Sequence, residues 1–217
     1  AAYRIPTMIT LVASIFIDAW QLSSINDNTR EQQITFFSNV GNVFASIVLL
    51  IASGAILCSK LAIKILAAPN YYSAWTFVPI LALSASFSCL SSFQNSIYTL
   101  EKKTFQSFLS TAFTAVINIG ANLLLIPRFG GMGAAAAALI SYLFLFLYRA
   151  VDTRRFLPIQ WKQRRMVTTT LLTALQATLM LLEPPLWLLW QLLLFGMVTV
   201  INSRELLIGI KKLLRRG

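Results

Sequence analysis

One absence sorts the chemistry this sequence can do: it contains no histidine. Imidazole metal ligands, imidazole general bases and Ser-His-Asp triads are excluded together. Its two cysteines, Cys58 and Cys89, lie inside apolar runs. They are too few for a disulfide framework or a zinc site, and they read as small packing residues. No metal and no cofactor is expected. What remains is charge and hydrogen bonding. Asp18 is the one acid well inside an apolar stretch. A carboxylate there could bind a coupling cation, titrate, or pair with Arg4, or it could face an aqueous vestibule and do nothing specific. The Arg4 guanidinium suits a phosphate bidentately, and equally suits a snorkelling interfacial residue.

The uncharged polar residues recur at helical spacing, about 100° per residue. Arg4, Thr7, Ser14, Asp18 and Gln21 share one face; Asn39, Asn42, Ser46 and Ser53 share a second. Ser84, Ser88, Ser91 and Asn95 form a third stripe, and Ser107, Thr111, Thr114, Asn118 and Asn122 a fourth. Such residues serve as glue between membrane helices. Four successive stripes carrying Asn and Gln at several levels point further, to a shared water-filled cavity. Its expected lining is Arg4, Ser14, Asp18, Gln21, Asn39, Asn42, Ser91, Asn95, Asn118 and Asn122, with Asp18 the candidate for ion coupling.

The elements that must carry these stripes are membrane helices. The chain is 57% hydrophobic and 12% charged, with a mean hydropathy of +0.72 over its 217 residues. A soluble globule could not bury that much apolar surface, so an ordinary cytosolic enzyme and a disordered chain are both excluded. Period-2 alternation is missing from the apolar runs, and open sheet edges do not survive in lipid. The fold class is therefore all-α, a polytopic membrane helix bundle. Seven apolar runs are long enough or nearly so: 5–25, 36–58, 76–100, 105–126, 131–151, 166–182 and 186–201. The last two read as peripheral and lipid-facing. Between the second and third spans, Lys60 to Leu66 reads as a small amphipathic turn, followed by Tyr71, Tyr72 and Trp75 at an interface. Gly130-Gly131-Met132-Gly133 allows a tight turn and close helix approach, and it is not a phosphate loop.

Net charge is +11. The basic residues sit between apolar runs, which reads as topology rather than nucleic-acid binding. On alternate sides of the seven spans they divide fourteen to four, with only Arg4, Lys60, Lys64 and Arg128 in the smaller group. The larger group is expected in the cytoplasm, with the C-terminus, leaving the N-terminus outside. An odd number of spans, and an opening Ala1-Ala2-Tyr3-Arg4 without Met or signal-peptide n-region, reads as the rear part of a longer protein.

Several stretches in order resemble a family: Tyr3 to Pro6, Ile15 to Ser23, Tyr71 to Trp75 with Val78-Pro79, and Ile97 to Thr104. The longest runs from Asn118 through Asn122, Pro127, Gly130 and Gly133 to Ser141-Tyr142. Together they resemble the polysaccharide (O-antigen-type) flippases of the multidrug/oligosaccharidyl-lipid/polysaccharide exporter superfamily. The resemblance implies the second half of a two-lobed exporter fold, starting at an eighth helix that runs from outside to inside. Residues 1–156 would be five helices of that C-terminal lobe, and 157–217 two further peripheral helices with a basic cytoplasmic tail. It implies the bacterial cytoplasmic (inner) membrane, and as partners membrane lipid, a lipid-linked oligosaccharide and the missing N-terminal lobe.

The function expected is translocation of a polyprenyl-pyrophosphate oligosaccharide by alternating access, for polysaccharide export. Polar stripes would hydrate the sugar and Arg4 would offset phosphate charge. A cation-coupled multidrug antiporter of the same superfamily is the alternative; it fits Asp18 and not Arg4. A polysaccharide polymerase or ligase would need catalytic side chains in an outer loop, and none is evident, so no enzyme is expected. A remnant that only packs against a partner is the remaining reading.

Overall fold

A computed structural model describes residues 4–21, 29–66 and 68–214, and every regular element among them is helical. In chain order these are α1 (Arg4–Gln21), α2 (Arg30–Leu57), α3 (Ser59–Leu66), a 3-10 segment (Pro69–Phe77), α4 (Val78–Leu100), α5 (Thr104–Asp152), α6 (Gln163–Leu182) and α7 (Trp187–Leu214). Four stretches are long and apolar enough to cross a membrane: Arg30–Leu57, Tyr72–Leu100, Thr104–Arg155 and Gln163–Leu182. Thr7–Ile17 is a shorter apolar helix.

The element boundaries have local causes. α2 begins at Arg30, before the apolar run does, because Thr29 caps it: the Thr29 amide donates to Gln32 Oε1 at 3.2 Å in a capping box. Pro79 occupies the first turn of α4, where a missing N–H costs nothing. α7 continues to Leu214 past the expected end at Ile201, keeping Glu205 inward and Leu207 outward.

α5 is two antiparallel helices. Gly130 takes φ 55° and ψ −133°, three residues after Pro127, and the chain doubles back there. The register follows from hydrogen bonds across the hairpin. Asn118 Nδ2 donates to Ser141 Oγ at 3.1 Å, and Arg149 Nε to Ser110 Oγ at 3.0 Å. Gly133 makes the close approach possible, since a Cβ there would overlap the Leu125 carbonyl. The expected spans 105–126 and 131–151 are the two arms.

α4 is the central column, packed by α5, α1, α2 and α6, while α7 lies on α2 and α6. An aromatic ladder crosses the core, with ring centroids 5.3 Å apart from Phe16 to Phe44, 5.5 Å from Phe44 to Phe93 and 5.9 Å from Phe93 to Trp161. Trp161 belongs to the connection between α5 and α6, which composition reads as a basic loop. Instead Leu157 and Ile159 are buried in the core, and the segment forms a strap across one end of the bundle. Gly41 leaves room for it: a Cβ there would stand 2.8 Å from the Phe93 ring and 3.3 Å from Trp161.

The two ends of the bundle carry different charge. At one end Arg30 pairs with Glu101 at 2.6 Å and also donates to the Phe156 carbonyl. Tyr98 donates to Asp152 at 2.7 Å there, and Lys162 pairs with Glu205. At the other end Lys60 pairs with Glu183 and lies over the rings of Trp75 and Trp187, 4.7 and 4.1 Å from their centroids. Arg30 and Lys162, assigned by sequence to one side, thus lie at the opposite end of the bundle from Lys60, assigned to the other.

Candidate functional site

A cleft of about 100 Å³ opens between α1, α4 and the second arm of α5. Its lining is Thr7, Thr10, Leu81, Ser84, Ala85, Ser88 and Tyr142. Helical spacing places them there: Thr7 and Thr10 are three apart on α1, and Ser84 and Ser88 four apart on α4. The Thr10 hydroxyl donates to the Thr7 carbonyl at 2.9 Å. The space is large enough for several waters. Hydroxyls both donate and accept, and the Tyr142 ring offers an apolar face, so the cleft suits water or a neutral polyhydroxyl group. Among the described residues that line it there is no charge and no acid/base pair. Among the described residues no cluster of His, Cys, Asp or Glu could hold a metal.

The residues expected to line one cavity are distributed over several places. Arg4, Asp18 and Gln21 belong to α1, but their side chains lie outside the described residues. Ser14 is exposed on α1 and donates to the Leu11 carbonyl at 2.9 Å. Asn39 is exposed on α2. Asn42 is 4% exposed and clamps the strap. Its Nδ2 donates to the Ser38 and Gln160 carbonyls at 2.7 and 2.9 Å, and its Oδ1 accepts from the Lys162 amide at 2.9 Å. Asn95 accepts from the Ser107 hydroxyl at 2.6 Å, tying α4 to the first arm of α5. Ser91 is buried beside it and donates to the Phe87 carbonyl at 2.7 Å. Asn118 and Asn122 bond each other at 3.0 Å inside the α5 hairpin.

A single cavity lined by all four stripes is therefore not what the described residues form. The α1 and α4 stripes meet across the cleft through Thr7, Ser84 and Ser88. The α2 stripe holds the strap and α6, and the α5 stripe holds its own hairpin. The physical reason is local satisfaction. Several of these hydroxyls bond a carbonyl one turn back, as Ser46 does to Asn42 at 2.9 Å and Thr114 to Ser110 at 2.8 Å. A polar group satisfied within its own helix needs no water.

Arg149, Glu205 and Gln94 were not singled out by sequence as site candidates. Arg149, 5% exposed, joins three helical segments: it donates to the Ser91 carbonyl at 2.9 Å and to Ser110 and Thr111 at 3.0 Å. Its guanidinium lies 5.9 Å from the Tyr98 ring centroid. Sequence counts it only as a topology charge; its place on the inward face of an apolar helix is the signal that marks it. Ser53 donates to Gln176 Oε1 at 2.5 Å, and Gln191 donates to the Gln176 carbonyl at 3.0 Å, a buried seam joining α2, α6 and α7. Glu205 is buried between Lys162 and Arg165, the latter at 3.4 Å. Burial first, then the like charges of Arg165 and Arg204, hold the Lys162 ammonium below the ordinary lysine value. Gln94 is wholly buried with neither amide atom hydrogen bonded, the situation an internal water relieves.

No protein family, curated protein or solved structure matches the chain.

Proposed function

We propose that this chain is the rear lobe of a bacterial inner-membrane transporter that flips a polyprenyl-pyrophosphate oligosaccharide, and that it acts as a carrier rather than a catalyst. In this reading seven segments cross the bilayer: α1, α2, α4, the two arms of α5, α6 and α7. The end bearing Arg30, Lys102, Arg149 and Arg204 is cytoplasmic. The observation that carries the reading is the hydroxyl-lined cleft of α1 and α4. There, among the described residues, polar faces of α1 and α4 meet across a gap rather than through a direct bond. A neutral sugar could be hydrated there while its polyprenyl tail stays among the exposed apolar side chains. On α1 these include Met8, Leu11, Val12 and Ile15, the surface left for a front lobe or lipid.

Binding tests this directly. The chain in lipid nanodiscs is titrated with a lipid-linked oligosaccharide and with the same polyprenyl phosphate lacking sugar. Sugar-dependent binding is expected, weakened tenfold or more, about 1.4 kcal/mol, when Ser84→Leu and Ser88→Leu fill the cleft. Equal binding of both lipids, or no effect of the filling pair, would sink the proposal.

A further inference from the structure

We infer that the outer surface of α6 and α7, at the basic end of the bundle, is a binding site for an anionic phospholipid. The site joins two features that lie on the same helix faces. Arg164 stands at the head of an apolar column on α6: Val167 and Leu171, three and seven residues on, are 56% and 64% exposed. Arg204 stands at the corresponding end of α7, and Val200 and Met197, four and seven residues back, are 73% and 46% exposed. Each column is a place for an acyl chain, and each ends in an exposed guanidinium at the level where a phosphate would sit.

Lys162 completes the head of the site. It caps α6 and lies close enough to Arg204 for the two charges to repel, so cations from both helices converge. Among the described residues the acid beside them, Glu205, is buried and already pairs with Lys162 and Arg165. It leaves Arg164 and Arg204 uncompensated. The first-turn N–H groups of α6 add partial positive charge beside Lys162. Basic pockets of this kind between membrane helices hold lipid phosphates, each cation near the surface adding about 1 kcal/mol, or fivefold. A phosphate alone would satisfy the cations and leave the apolar columns uncovered. A diacyl lipid satisfies both, and its net negative charge matches the surplus. The site rests on membrane embedding alone; it does not involve the cleft, so its failure leaves the transport reading untouched.

The test is lipid retention. The full chain is purified from membranes containing phosphatidylglycerol and phosphatidylcholine, and bound lipids are counted by native mass spectrometry. Preferential retention of phosphatidylglycerol is expected. Arg164→Gln and Arg204→Gln, both exposed positions, should each lower it about fivefold. Lys102→Gln with Lys103→Gln removes twice the charge of either arginine variant from the same end and should leave retention unchanged. Equal retention of both lipids, no loss in the arginine variants, or an equal loss in the lysine variants would overturn the site; the last result would mean diffuse attraction to the basic end. Displacement by millimolar inorganic phosphate would also overturn it, because that would show the apolar columns to be idle.

Discussion

Asn42 shows how one side chain can replace a regular element. The strap has no helix or strand to satisfy its backbone, and Asn42, with Ser38, supplies the missing partners: Ser38 Oγ accepts from the Gln160 amide at 2.9 Å. Removing a partner from a buried backbone group costs about 1–3 kcal/mol. Asn42→Leu strands both the Gln160 carbonyl and the Lys162 amide, so a loss of about 2–4 kcal/mol is expected in thermal unfolding in detergent. Asn39→Leu, on the exposed side of the same helix, should stay within about 0.5 kcal/mol. Arg149 makes a comparable case between α4 and both arms of α5. Arg149→Leu should destabilise by about 1–3 kcal/mol, and Arg149→Lys should recover only part of it. An ammonium is a point charge on a flexible stem and cannot fork to three partners.

At the scale of elements, the α5 hairpin was legible in the sequence and the strap was not. Pro127, Gly130 and Gly133 interrupt a continuous apolar run with the residues a reversal requires. Gly130 combines a positive φ with a ψ of −133°, a conformation L residues rarely adopt, so Gly130→Ala is expected to cost about 1–3 kcal/mol. Gly120 has open space around its missing Cβ within a helical arm, so Gly120→Ala should be neutral or stabilising by up to about 1 kcal/mol. Unfolding of the two variants side by side checks the assignment, and equal effects would contradict it. The strap was hidden by its neighbours. Leu157, Ile159 and Trp161 alternate with Pro158, Gln160 and Lys162, an extended in-and-out pattern, but six basic residues between Arg149 and Arg165 dominate the composition. The polar stripes were legible as inward faces only in part: Asn42, Ser84, Ser91 and Thr114 are buried, while Ser14 and Asn39 are exposed. Which stripe would meet which was not legible, because periodicity gives the direction of a face and not the identity of the helix opposite. α6 and α7 illustrate the same limit: Gln176 and Gln191 look isolated in apolar runs, yet Gln176 bonds Ser53 of α2 and Gln191 bonds the Gln176 carbonyl of α6.

The whole molecule is organised by its two ends. Cations pair with Glu101, Asp152 and Glu205 at one end, and Lys60 with Glu183 between tryptophans at the other. If the helices cross a membrane, cysteines placed at Lys102 and Arg204 should react with an impermeant thiol reagent from one side only. Cysteines placed at Leu61 and Arg128 should react from the other. Labelling of all four from one side would refute the crossing pattern. The transport reading makes a sharper demand, that the cleft between α1 and α4 is wet in the bilayer. In a chain with Cys58 and Cys89 changed to Ala, Thr10→Cys and Ser88→Cys should react with the impermeant reagent and be slowed by lipid-linked oligosaccharide. Leu171→Cys, on an exposed apolar face, should stay unreactive. Thr10→Cys and Ser88→Cys as inert as Leu171→Cys would show a dry packing seam and contradict the account.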